Sequence, residues 1–108
     1  MRFALLPILA LVLLAPTTNA QEQGDPVSGR AYAEEACARC HAVAPDDVHS
    51  PKVDATSFET VANTPGMSVI ALSVWLQTPH PTMPNLVIKS EDLHDVIAYI
   101  VSLKDKPE

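Results

Sequence analysis

Basic residues are scarce in this chain. Its 108 residues include seven Lys or Arg against thirteen Asp or Glu, a formal charge of −6. Nucleic-acid binding demands a basic footprint, and none is present. Alternating strand patterns are missing, and so are internal repeats, which leaves helices as the material of the fold. The longest apolar run, Phe3 to Ala15, is shorter than the roughly 20 residues that a spanning helix needs, and Pro7 interrupts it. Cysteine is almost absent: Cys37 and Cys40 are the only two.

What is present begins with the opening "MRFALLPILALVLLAPTTNA". Arg2, the apolar run, the polar patch Thr17 to Asn19 and the small residues Thr18 and Ala20 form the layout of an export signal cleaved after Ala20. A retained membrane anchor is the alternative, and the short run with Pro7 and Pro16 favours cleavage. Residues 1–20 are then a signal peptide and 21–108 one domain without a membrane span. Losing Arg2 takes the formal charge from −6 to −7. So small a domain often needs a disulfide, a metal or a cofactor as a staple. Export also brings an oxidising compartment, where a free thiol pair does not persist. Something must occupy Cys37 and Cys40.

The remaining chain divides readily. Residues 21–24 read as a loose terminus. Asp25 is a natural N-cap with Pro26 in the first helical position, and the helix runs through about Ala36 with Val27, Ala31 and Tyr32 on neighbouring turns. Residues 44–66 read as loop, with one short helical turn over Ser57 to Ala62. Thr64 and Pro65 open a helix over "GMSVIALSVWLQT" that must stop before Pro79; apolar around most of its circumference, it should be largely buried. "TPHPTMPNL" is a rigid loop, since prolines 79, 81 and 84 each fix φ. Ser90 caps the last helix, with Glu91 and Asp92 in its first turn and Lys104 and Lys106 toward its end. Leu93, Val96, Ile97, Ile100 and Val101 form its apolar stripe. The expected fold class is all-α.

The chemistry is concentrated in "EEACARCHAV", Glu34 to Val43. Cys37, Cys40 and His41 stand at i, i+3 and i+4, so on a helical turn they project from one side. Two thiols that add to the edge of a macrocycle and an imidazole that reaches its central iron fit that geometry. Cys-x-x-Cys-His is the attachment signal of c-type haem. A thiol redox centre would need a βαβ setting, a zinc site four ligands, and a plain disulfide would leave His41 idle. His41 fills one axial position of the iron. For the other, Met83 offers a thioether held between Pro81 and Pro84, and His80 in the same loop is its rival. Met67 reads as packing within an apolar helix.

With "CARCH" near the start of the mature chain, "PTMPNL" about forty residues on and "EDLHDVIAYIVSL" at the end, the chain resembles the class I c-type cytochromes over essentially its whole mature length. The resemblance implies a small cytochrome c fold: three to four helices around one covalently bound haem, with the N- and C-terminal helices crossing. Gly29, eight residues before Cys37, would permit the crossing, and Tyr99 would pack there. Ala33 stands where the family usually has an aromatic, with Tyr32 one place early. A proline carbonyl after the motif would accept the His41 Nδ1–H; Pro51 is the nearest candidate, while Thr56 and Ser57 stand where similar cytochromes carry proline. Trp75 would donate its Nε1–H to a haem propionate, or serve packing alone.

With His41 and Met83 both on the iron no position stays open for substrate. The resemblance therefore implies a soluble periplasmic electron carrier with one haem c per chain, a monomer and not an enzyme. Its partners would be a redox donor and acceptor with a basic docking face, to match the acidic chain. The alternatives are a haem-bearing small subunit of a periplasmic dehydrogenase or reductase complex, and a haem sensor or peroxidase-like protein in which Met83 dissociates.

Overall fold

The computed structural model describes residues 24–105, which hold four helices: α1 Pro26–Ala36, α2 Phe58–Ala62, α3 Val69–Gln77 and α4 Ser90–Ser102. Among the described residues there is no strand, and no helix is long and apolar enough to cross a membrane. The all-α expectation holds. The expected signal peptide, and Lys106, lie outside the described residues.

Helix α1 starts and stops where its local signals place it. Asp25 takes an extended backbone conformation and its carboxylate accepts the Val27 N–H, with Pro26 in the first turn. Its inner face differs from the expected one. Gly29 and Ala33 are buried, whereas Val27 is 77% exposed. The cause is how closely α1 and α4 approach: a Cβ placed on Gly29 would come 1.9 Å from the Asp95 carbonyl oxygen. Only the smallest side chains fit that crossing, so bulkier ones are turned outward. Ala33, fully buried, fills the place where an aromatic was sought, and Tyr32 packs beside it half-buried.

Residue 24 is no loose end. A Cβ on Gly24 would meet the His94 carbonyl oxygen at 2.0 Å, and the Asp25 N–H donates to Asp95 Oδ1 at 2.8 Å. Helix α4 is the hub, since α1, α2 and α3 all pack on it. It buries Leu93, Val96, Ile97, Tyr99 and Ile100, while Val101 is only half-buried. Its cap is Lys89, in extended conformation, and Ser90 is already helical, so Ser90 does not cap it. Glu91 and Asp92 supply the first-turn charge that favours the dipole.

Helix α2 has the extent expected of it, with Ser57 capping the Thr60 N–H and Phe58 sunk in the core. Helix α3 begins later than Thr64. Gly66 takes φ +80°, which breaks the chain direction, and Ser68 then caps the Ala71 N–H. The expectation of a buried α3 fails as well: Leu72 is its one buried residue, and Ile70 is 78% exposed. The helix packs on α4, the loop that follows lies against its C-terminal end, where His80 meets Trp75, and Val69, Ile70 and Val74 stay exposed.

Candidate functional site

Cys37 is the C-cap of α1, and the chain makes one further turn beyond it. The Cys37 carbonyl accepts the N–H groups of Cys40 at 3.2 Å and His41 at 3.0 Å. Those bonds place Cys37, Cys40 and His41, all half-buried, on a single turn, as their spacing requires. Both cysteines are free thiols. Burial pushes the Cys37 thiol up to about 11, opposite to the lowered pKa of a Cys-x-x-Cys redox centre. No cluster of three or more His, Cys, Asp or Glu side chains able to hold a metal ion occurs among the described residues, so zinc has no ligand set there.

His41 has the most constrained ring in the region. Its Nδ1 lies 2.6 Å from the Thr56 carbonyl oxygen. A carbonyl only accepts, so Nδ1 carries the proton and the lone pair resides on Nε2, the tautomer that ligates metal through Nε2. The Phe58 ring packs 5.6 Å from it, centroid to centroid. The acceptor is thus Thr56 and not Pro51. Pro51 is exposed, and the next amide, Lys52, is spent on the Cys40 carbonyl at 3.1 Å. Thr56 directly precedes the Ser57 cap of α2, where the backbone is extended and its carbonyl serves no helix.

Met83 is half-buried in the proline-rich loop. A cavity of about 240 Å³ brings it together with Leu76, His80, Leu86 and neighbouring backbone. Cys37, Cys40 and His41 do not line that cavity, and neither does Leu72, which is buried in the core. Two clusters result, the motif turn and the Met83 loop. Lys52 joins them: its N–H holds the Cys40 carbonyl at 3.1 Å and its Nζ donates to the Thr82 carbonyl at 3.2 Å. The Met83 loop therefore stands within one lysine side chain of the motif. Thr82 itself has φ +69°, a left-handed conformation uncommon for a β-branched residue. No sequence signal marked Lys52 or Thr82.

His80 turns back on its own loop, with Nδ1 2.8 Å from the Thr78 carbonyl oxygen and its ring edge-on to Trp75 at 5.1 Å. Trp75 is 54% exposed, so core packing is not its role. The helix crossing that carries the motif is closed on its far side by Tyr99, whose hydroxyl donates to the Val43 carbonyl.

Two thiols and an imidazole thus share one turn, a thioether lies on a second loop tied to it by Lys52, and α3 leaves part of its apolar surface exposed, a donor set whose chemistry fits an iron-bearing macrocycle. Compared with known proteins, the chain matches no family model, no curated protein and no solved structure.

Proposed function

We propose that the chain is an exported one-electron carrier of the small cytochrome c type, not an enzyme, holding one haem c. Cys37 and Cys40 would bind it covalently, and His41 and Met83 would be its axial ligands. The observation that carries this reading is the His41 Nδ1–H to Thr56 bond at 2.6 Å. It fixes the ring plane and commits Nε2 to an acceptor role in a turn whose two other side chains are thiols.

Bound there, haem c supplies a ferric/ferrous couple, and histidine–methionine ligation holds it at a higher potential than two histidines would. The chain's own work is to keep both ligands in place and to keep water away. Thr56 orients His41, Phe58 and Leu72 are apolar neighbours of the region, and Lys52 ties the Met83 loop to the motif turn. Met83 is taken as the second ligand on its thioether chemistry, with His80, which lines the same cavity, as its rival. With both axial positions taken by side chains, nothing remains for a substrate to bind, which supports a carrier over an enzyme. The localisation proposed is the periplasm, because attachment of c-type haem belongs to an exported chain.

Denaturing electrophoresis of the exported protein should show haem retained on the polypeptide, and Cys37→Ala with Cys40→Ala should abolish it. Met83→Ala should lose the weak long-wavelength ferric band of sulfur ligation, while His80→Ala keeps it. Protein free of covalent haem would end the proposal; a wild-type protein without that band, or a band that survives Met83→Ala, would move the second ligand.

A further inference from the structure

Between Glu59 and Lys89 the chain contains no Asp, Glu, Lys or Arg, although such residues make up 19% of the whole. That gap covers α3 and the Met83 loop. On α3 the exposed side chains are apolar apart from Gln77. Ile70 is 78% and Val74 59% exposed, and Val87 stands wholly exposed between half-buried Leu86 and Ile88. Ile70 and Val74 each lie two residues from Leu72, about 200° around the helix from it. They point away from the side on which Leu72 and Leu76 reach inward, so a group bound on that inner side leaves them in water.

We infer that the outer face of α3, continued by Val87, is the docking surface for a protein redox partner that presents an uncharged, apolar face of its own. The inference rests on the electron-carrier reading and names how that carrier meets its partner. The occupant follows from charge. A face without ions offers no counter-charge to a basic patch, so the basic partner face suggested by the net charge belongs elsewhere on the molecule, if anywhere. A second copy would bring together two chains of formal charge −6, whose acidic residues all lie outside this segment. A lipid surface would find no lysine or arginine within the segment, and the two ammonium groups at its edge, Lys104 and Lys52, are bonded to the Met67 and Thr82 carbonyls. Apolar contact with a different protein is what remains, and small, transient apolar patches suit redox encounters.

The test uses the full chain in its native host. A photoreactive phenylalanine analogue is placed at Ile70 or Val74, and at exposed Glu35 on α1 as control. Cross-links from positions 70 and 74, and not from 35, to one distinct redox protein are expected. With that protein purified, Val74→Lys and Ile70→Glu should each slow electron transfer about ten-fold or more, as loss of a central contact does. The wild-type rate should barely change as salt is raised. Cross-links from position 35, to a second copy, to lipid or to nothing, or a rate that falls steeply with salt, overturn the inference. Haem staining and the sulfur-ligation band, read on the same samples, separate the two readings. If wild type lacks them the carrier reading fails; if it has them, only the docking face does.

Discussion

Lys52 serves two segments at once, its amide on Cys40 and its ammonium on Thr82. Thr82 sits in the left-handed region, which costs a β-branched residue roughly 1–2 kcal/mol and persists only when its surroundings hold it. Lys52→Met removes a bond worth about 1 kcal/mol. In the haem-loaded protein, added imidazole should then compete with Met83 about five-fold more successfully, as an absorbance titration would show. Adding Thr82→Gly, at ease with that φ, should return part of the difference. An unchanged imidazole affinity would mean that the prolines alone hold the loop. At this scale the proposed ligands stand out in the sequence and their supports do not. Cys37, Cys40, His41 and Met83 are distinguished by side-chain chemistry and spacing, which a sequence displays. The Thr56 carbonyl and the Lys52 bridge depend on how the loop of residues 44–57 folds back on the motif, and a backbone acceptor leaves no trace in residue type.

The α1–α4 crossing is an element-scale device with a steep cost for change. Gly29→Ala would put a Cβ 1.9 Å from the Asp95 carbonyl oxygen, and backbone must shift to admit it. A loss of about 2–3 kcal/mol in unfolding free energy is expected by denaturant titration. Gly66→Ala differs in mechanism, since open space surrounds it and only φ +80° penalises the change; about 1 kcal/mol is expected there. The start of α1 carries a pH signature. The Ser28 hydroxyl first, and the Val27 N–H second, hold the Asp25 carboxyl below its ordinary value. A carboxylate with a lower pKa folded than unfolded adds stability above its unfolded pKa, and that stability is lost as pH falls through the folded value. Asp25→Ala should therefore lower the thermal midpoint near neutral pH, and its gap from wild type should narrow from about pH 4 downward. Helix ends proved more legible than helix faces. Asp25–Pro26 and Ser57 act locally, whereas the inward turn of Gly29 and Ala33 is decided by α4, most of a chain length away. Ser90 misled because an extended Lys89 already begins the helix, and α3 misled because an apolar composition does not say what will cover it.

Across the described residues the buried apolar side chains gather on α4, joined by Phe58 and Ala62 of α2, Ala42 and Val43 beside the motif, Ala33 of α1 and Leu72 of α3, while the Met83 loop adds none that is fully buried. In the thiol form, before any cofactor is attached, hydrogen exchange should be slowest in α1 and α4 and markedly faster over residues 78–88. Equal protection in both regions would contradict this division. The overall class was legible because helix periodicity in the last segment is strong and strand alternation is absent. The arrangement of the helices was not legible there, as composition carries no record of which helix meets which. The union of the two chain ends also has a temporal side. Asp25 is bonded to Asp95, seventy positions away, so α1 has no partner until α4 exists. Closing a loop of that size costs roughly 4 kcal/mol before any contact repays it. A ribosome or a translocation channel releases the chain from its first residue to its last. Cys37 and Cys40 therefore spend the whole interval of synthesis on an unclosed chain, open to whatever chemistry reaches them before the final helix arrives.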